Sequence, residues 1–170
     1  MTRDNVYGAS KVAGGFWGRA LAHRRAMAFC WVRLFGVYGP GEASHRLIPY
    51  LVTRLRNNEV VDLTPGRQVR DLMFIDDAVR GLISAANAAL EGHEGPFNLC
   101  SGQGTEIGEI ARMIANLLGK PAGLLAFGAR EYRPDEPLWL VGSPESFHRI
   151  SLFTPNIDVP TGIRATLASI

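Results

Sequence analysis

The chain has 170 residues, of which 46% are hydrophobic and 20% charged, values typical of a globular domain or a piece of a larger one. Its formal net charge of +2 argues against the basic surface that nucleic-acid binding requires. No apolar run approaches about 18 residues, and no signal-peptide pattern opens the sequence. We therefore expect a cytoplasmic protein that uses neither a membrane nor a nucleic acid.

The first half of the sequence predicts alternating helices and strands. Residues 8–24 favour a helix, although Gly14, Gly15 and Gly18 weaken it and are expected to let another segment approach closely. Residues 28–36 are apolar at nearly every position, which predicts a strand buried on both faces before a Gly-Pro-Gly turn. The next predicted elements are a helix over 45–58, a strand over 60–63, a Pro-Gly turn at 65–66 and a strand over 69–75.

The second half continues the alternation. Asp76 is predicted to be the N-cap of a helix over 77–90, with Asp77 as a structural carboxylate. Thr105 and Glu109 are predicted to open a helix over 107–119. Most of 131–160 is expected to be ordered loop. The remaining predicted elements are strands over 97–100 and 124–127 and a last helix over 161–170. This alternation predicts the α/β class.

The two cysteines, Cys30 and Cys100, both lie in apolar, strand-like runs. Such positions favour buried free thiols over a disulfide or a metal site. We expect no bound metal.

Tyr7 and Lys11 are four residues apart and share one face of the first predicted helix. A lysine ammonium beside a phenol favours the phenolate, so the pair could move a proton to or from an alcohol or sugar oxygen. Only Lys11 and Lys120 are lysines among 18 basic residues. A chance pair with this spacing is expected in roughly one of twenty such chains, so the motif alone is only suggestive.

Five sequence blocks in order give the motif a context. They are Y-G-A-S-K (7–11), V-R-L-F-G-V-Y-G-P-G (32–41), G-R-Q-V-R-D-L-M-F-I-D-D (66–77), F-N-L-C-S-G (97–102) and Y-R-P-D-E-P (132–137). Together they resemble the extended short-chain dehydrogenase/reductases. The branch they resemble acts on nucleotide sugars and contains NAD-dependent epimerases, 4,6-dehydratases and 4-ketoreductases.

The resemblance implies an incomplete form of that fold. We expect the second half of a Rossmann-type, doubly wound sheet together with the small C-terminal substrate-binding lobe, without the N-terminal cofactor-binding half. Residues 1–90 are expected to hold the Rossmann part with interleaved lobe segments, and residues 91–170 mainly the lobe. A homodimer through helix 8–24 is implied for the complete enzyme.

The resemblance also assigns the cofactor side of a site. It implies that Tyr7 is the general acid/base and that Lys11 holds the nicotinamide ribose of NAD or NADP. It places Phe35, Gly36 and Val37 near the nicotinamide. Many relatives have asparagine where this chain has Gly36, which puts a side-chain contact to substrate there in doubt.

On the substrate side, Arg70 is implied to bind the nucleotide diphosphate, and Arg133 and Glu136 to add a phosphate or ribose contact. A planar guanidinium suits a diphosphate. The alternative for Arg70 is an ion pair with Asp71, Asp76 or Asp77. The alternative for Arg133 is an ordinary exposed loop arginine.

The segment from Phe97 to Ala115 imitates a dinucleotide-binding turn, because Gly102, Gly104 and Gly108 lie between a predicted strand and a helix. No acidic residue ends a following strand at the expected distance, and no second parallel βαβ unit follows. We therefore do not favour a separate dinucleotide site there.

Our leading interpretation is a C-terminal portion of an NAD(P)-dependent nucleotide-sugar oxidoreductase or epimerase. The phrase Y-R-P-D-E-P-L-W-L-V favours a 4-ketoreductase of a 6-deoxyhexose pathway, and a 4,6-dehydratase-like enzyme is the other form we expect. The alternative is a non-catalytic module that binds a nucleotide sugar or a partner chain.

Overall fold

A computed structural model of the protein describes residues 6–170, which alternate helices and strands as the α/β prediction requires. The helices are α1 (Val6–Arg24), α2 (Leu47–Arg56), α3 (Ile75–Leu90), α4 (Ile107–Leu117), α5 (Glu145–Ser151) and α6 (Val159–Ser169). The strands are β1 (Val32–Leu34), β2 (Gly36–Tyr38), β3 (Val61–Leu63), β4 (Val69–Phe74), β5 (Phe97–Leu99), β6 (Gly104–Glu106), β7 (Leu125–Phe127) and β8 (Trp139–Leu140). A 3₁₀ turn covers Ala122–Leu124.

Strands β1 and β2 are separated only by Phe35, yet they belong to two different sheets. β1 runs parallel to β5, and β2 runs parallel to β4, with Gly36 opposite Leu72. The predicted strand over 28–36 is therefore too long at its start. The prediction that it is buried on both faces is also wrong, because Arg33 is exposed and the Leu34 side chain is 48% exposed.

Helix α1 covers the segment that leads into β1. A Cβ atom on Gly15 would lie 2.2 Å from the Trp31 ring, and one on Gly18 would lie 3.0 Å from the Phe29 ring. The expectation that these two glycines allow close approach is confirmed, whereas Gly14 has no such neighbour within 4 Å. Phe29 and Trp31 are thus held against the helix instead of extending the strand.

Strand β4 is the centre of the second sheet. It pairs parallel with β2 and β8 and antiparallel with β6, while β3 pairs with β7 elsewhere. Most of 131–160 is loop, as expected, and two short elements interrupt it. β8 pairs parallel with β4, and α5 forms where Phe147 enters the core, with 1% of the residue exposed.

Two apolar cores support these sheets. The first joins α2, α4 and α6 through fully buried aliphatic side chains, including Leu51, Leu55, Ile110, Ile114 and Ile163. The second packs α3 and α5 against β5 through Met73, Ala85, Leu99, Phe147 and Phe153. Each core takes residues from both sides of residue 90, so the two regions interleave along the chain. The division at residue 90 itself stays a prediction.

The start of α3 differs from the prediction. Phe74 is the N-cap, and Asp76 lies exposed in the first turn, so its predicted capping role is wrong. Asp77 is fully buried and accepts hydrogen bonds from the backbone N–H groups of Asn156 (3.0 Å) and Ile157 (2.9 Å), besides its pairing with Arg80. The prediction of a structural carboxylate at Asp77 is confirmed.

Helix α4 begins at Ile107, as predicted, although its N-cap is not the residue suggested from the sequence. Thr105 lies in β6, and Glu106 is the N-cap.

Within residues 6–170, no helix is both long and apolar enough to cross a membrane. The same residues contain no cluster of three or more His, Cys, Asp or Glu side chains arranged to hold a metal ion.

Candidate functional site

A cleft of about 720 Å³ opens where β2 and β4 run side by side. Its walls come from β2, from the loop and helix that follow it, from β4, and from the segment over 130–136. Six of the residues implied by the resemblance line this cleft: Phe35, Gly36, Val37, Arg70, Arg133 and Glu136. Positions up to 101 residues apart in sequence therefore share one cleft.

Gly36 lies against β4, where a side chain has no room. A Cβ atom there would be 2.7 Å from both the carbonyl oxygen of Asp71 and Cδ2 of Leu72. Glycine at this position lets β2 and β4 pair closely, and it contributes backbone instead of a side chain to the cleft.

Arg70 forms an ion pair, but with Glu136 and with none of the aspartates considered from the sequence. Its Nη2 lies 3.0 Å from Oε1 of Glu136. Its Nη1 donates to the carbonyl oxygens of Val69 (2.9 Å) and Pro137 (2.8 Å). The guanidinium is thereby held at the wall of the cleft.

Arg133 is exposed and lines the same cleft. Among residues 6–170, no carboxylate forms an ion pair with its guanidinium. Arg133 is therefore an exposed loop arginine, as the alternative proposed. It also lines a cleft that a ligand can enter.

Other residues that line the cleft were not predicted, among them Glu42, Arg46, Tyr50 and Arg130. Nε of Arg46 lies 3.0 Å from Oε1 of Glu42. Arg130 donates to the Tyr50 hydroxyl at 3.3 Å, and its guanidinium lies 5.8 Å from the centre of the Tyr50 ring. For Glu42, Arg46 and Tyr50, the sequence signal was the Gly-Pro-Gly turn that precedes them. Residues that follow the carboxyl end of a strand commonly contact ligands in α/β folds.

The buried carboxylate of Asp71 shows why the glycine-rich segment after β5 does not act as a dinucleotide-binding turn. Asp71 is 1% exposed and accepts from the backbone N–H groups of Ser101 (2.8 Å) and Gly102 (2.9 Å). The first N–H groups of α4, on Ile107 and Gly108, donate to the carbonyl oxygens of Gln68 and Gly66. The donors that would hold a pyrophosphate in such a turn are already used within the protein.

Tyr7 and Lys11 share a face of α1 as predicted, with Nζ of Lys11 5.0 Å from the centre of the Tyr7 ring. Both side chains are exposed, Tyr7 to 71%, and neither lines the cleft. The structure therefore brings the six cleft residues together and leaves this pair on a separate surface.

Burial changes the acidity of three other side chains. Burial and the neighbouring Asp71 carboxylate raise the pKa of the Cys100 thiol to about 11. Burial also raises the pKa of Cys30, which is half-buried, and both cysteines are free thiols. Burial together with Asp158 and Asp77 raises the pKa of Tyr38, so this cleft tyrosine stays a neutral phenol.

A sequence profile described as the NAD dependent epimerase/dehydratase family matches residues 2–100, more than half of the chain. The chain belongs to this family. CDP-abequose synthase of Salmonella typhimurium is 27% identical over 153 residues, which cover 88% of this chain and 51% of that protein. dTDP-L-rhamnose 4-epimerase of Burkholderia thailandensis is 34% identical over 122 residues, which cover 69% of this chain and 33% of that protein. Both are nucleotide-sugar enzymes by name, as the five sequence blocks predicted.

Solved structures of the family share the fold. An epimerase from Methanothermobacter thermautotrophicus superposes with a TM-score of 0.82 at 26% identity, over 93% of this chain and 47% of that one. UDP-glucose 4-epimerase of Thermotoga maritima, solved with UDP-glucose, superposes with a TM-score of 0.83 at 20% identity, over 96% of this chain and 52% of that one. The predicted Rossmann-type α/β fold is confirmed, and the chain spans about half the length of these structures.

Proposed function

We propose that this chain carries the nucleotide-sugar-binding part of an NAD(P)-dependent oxidoreductase or epimerase. The observation that carries the proposal is the cleft itself. It gathers Arg70 and Arg133 on one wall and the junction between β1 and β2, at Phe35 to Val37, on another. A sugar held between these walls would lie beside the backbone that the resemblance places near the nicotinamide.

The two arginines suit a diphosphate for different reasons. Arg70 is fixed by two carbonyl oxygens, so little side-chain freedom is lost when an anion binds it. Arg133 is exposed and without a carboxylate partner among the described residues, so its full charge is offered to the cleft. Two guanidinium groups can bridge the four non-ester oxygens of a diphosphate through charge-assisted hydrogen bonds.

We assign proton transfer to Tyr7 and cofactor positioning to Lys11. The phenol and the ammonium lie on the exposed surface of α1, with Nζ of Lys11 5.0 Å from the centre of the Tyr7 ring, so a ligand can reach both. NAD(P) supplies hydride transfer when bound. Tyr7 would donate a proton to a keto oxygen of the sugar or accept one from its hydroxyl group. The glycine-rich segment does not fit the cofactor pyrophosphate, because Asp71 occupies its N–H donors.

Among the reactions of the family, we favour reduction of a 4-keto-6-deoxy sugar. The name of one relative supports this choice: dTDP-4-dehydro-6-deoxy-D-allose reductase of Streptomyces bikiniensis, which is 30% identical over 124 residues. Relatives named dTDP-glucose 4,6-dehydratase are 26% identical, so a dehydratase-like reaction is the second candidate.

We also propose that α1 forms a homodimer contact in the complete enzyme. Its exposed apolar side chains include Val12, Phe16, Trp17 and Leu21. Several large apolar side chains exposed along one helix are a feature of protein interfaces. Sedimentation at several protein concentrations should detect a dimer that Trp17→Glu weakens, and a monomer at every concentration would contradict the assignment.

The binding proposal is tested by calorimetry with UDP-, dTDP- and CDP-glucose. Arg70→Ala and Arg133→Ala should each weaken binding of the preferred nucleotide sugar by about 10- to 100-fold, the loss expected for charge-assisted hydrogen bonds. Arg149→Ala, which removes an exposed arginine on α5, is the matched control. No binding of any nucleotide sugar, or equal losses in all three variants, would contradict the proposal.

A further inference from the structure

The guanidinium of Arg70 already has an anion bound to it. Oε1 of Glu136 lies 3.0 Å from Nη2, and the two side chains are only 23% and 19% exposed. A carboxylate on a guanidinium reproduces the charge and the hydrogen-bond geometry with which a phosphate would bind there. Glu136 therefore occupies part of the surface at which a diphosphate would contact Arg70.

The carboxylate is held in place by a second donor. Nε2 of Gln68 donates to the same Oε1 at 3.3 Å. Gln68 is 4% exposed, and its own amide is fixed by the Thr64 hydroxyl at 2.9 Å. Two donors thus converge on Oε1 from β4 and the turn before it, so Glu136 is not a freely moving surface side chain.

An Arg–Glu pair attracts an anion much less than arginine alone, because the two charges cancel. A diphosphate that approached Arg70 would also place its negative charge beside the carboxylate, and this repulsion is weakly screened at a half-buried position. We infer that Glu136 is an internal competitor for the diphosphate site. It holds Arg70 when no ligand is bound and must leave the guanidinium when a diphosphate binds. The inference rests on the proposed function in taking the ligand to be a diphosphate.

Glu136→Gln separates the charge of this side chain from its shape. Glutamine keeps an oxygen that can accept from Arg70 and Gln68, so the wall of the cleft should be retained. Removing the charge should tighten binding of an anion at Arg70 by about 3- to 10-fold. If Glu136 instead helped to hold the ligand, the same substitution would weaken binding.

The experiment measures the affinity of the full chain for inorganic pyrophosphate and for UDP-, dTDP- and CDP-glucose by calorimetry. Wild type, Glu136→Gln and Glu131→Gln are compared, with thermal unfolding to verify that each variant is folded. Glu131 is the matched control because it lines the same cleft and makes no ion pair with the described residues. We expect tighter pyrophosphate binding for Glu136→Gln and less than about a twofold change for Glu131→Gln.

The two probes separate this inference from the proposed function. If Glu136→Gln tightens pyrophosphate binding but no nucleotide sugar binds, the competitor role stands and the proposed substrate is wrong. If nucleotide sugars bind but Glu136→Gln binds pyrophosphate no more tightly than wild type, the competitor role is overturned alone. An equal gain in both variants, or no pyrophosphate binding by wild type and Glu136→Gln, would also overturn it.

Discussion

The buried carboxylate of Asp71 accepts a hydrogen bond of 2.9 Å from the backbone N–H of Gly102, which joins β4 to the loop after β5. The same carboxylate accepts from the N–H and the hydroxyl of Ser101 and from the N–H of Gly142. Three separate segments therefore meet at the side chain of Asp71. In the sequence, Asp71 directly follows the cleft residue Arg70. This contact makes the position of the cleft wall depend on a buried charge.

Replacing Asp71 by asparagine should destabilise the fold by about 3 kcal/mol, because an amide N–H₂ group would face N–H donors that lose their acceptor. Urea unfolding should show a lower midpoint with an unchanged slope. Asp62→Asn is the control, since Asp62 is exposed on β3. Equal midpoints for the two variants would contradict the structural role of Asp71.

Glu94 is expected to make the attachment of α1 sensitive to acid. It pairs with Arg19 at 2.7 Å and with His23, and the His23 hydrogen bond is the main cause that lowers its pKa below the ordinary 4.5. A lowered carboxyl pKa stabilises the fold above the ordinary value and ceases to do so as the pH falls through the lowered one.

The measurement is the midpoint of thermal unfolding of wild type and Glu94→Gln between about pH 6 and about pH 3. Wild type should be more stable near pH 6, and the difference should shrink toward pH 3. Glu91→Gln, an exposed carboxylate near the end of α3, should follow wild type throughout. A difference that grows as the pH falls would show that Glu94 is not the stabilising group.

Cys100 should be unreactive in the folded protein. Its pKa of about 11 leaves about one thiolate in a thousand at about pH 8, and its Sγ is packed against Gly142. In a Cys30→Ser variant, a thiol reagent should titrate one cysteine only after denaturation. Rapid labelling of that variant under native conditions would mean that the loop around Cys100 opens.

In the enzyme that carries this chain, Tyr7→Phe should lower kcat by about 10²- to 10⁴-fold with little change in nucleotide-sugar affinity, because only the proton-transferring hydroxyl is lost. Lys11→Met should raise the Kd for NAD(P), since it removes the proposed ribose contact. Nucleotide-sugar binding with wild-type turnover in Tyr7→Phe would remove the general acid/base role. Binding without turnover by the wild-type enzyme would favour a non-catalytic module.

Six residues of the cleft could be predicted because they lie in motifs whose order and spacing are visible in the chain. The ion pair between Arg70 and Glu136 could not, because it depends on how the segment after β7 folds back beside β4. The N-cap at Phe74 was missed for a related reason: β4 passes directly into α3 without the polar residue that usually marks such a start. The ion pair is decided by a contact between distant segments, and the helix start by the strand that runs directly into it.

Adjacent glycines in α1 should respond oppositely to alanine. Gly14→Ala should stabilise the protein by about 0.5–1 kcal/mol, because alanine has the higher helix propensity and no atom lies within 4 Å of the added methyl group. Gly15→Ala should destabilise it by about 1–3 kcal/mol, since the methyl group would lie 2.2 Å from the Trp31 ring, and the ring must move away from α1. Urea unfolding followed by circular dichroism measures both changes. Tryptophan fluorescence reports the displacement of the Trp31 ring when Gly15→Ala is made in a chain whose other two tryptophans, Trp17 and Trp139, are replaced by Phe. Stabilisation of similar size in both variants would mean that α1 does not pack on Trp31 in solution.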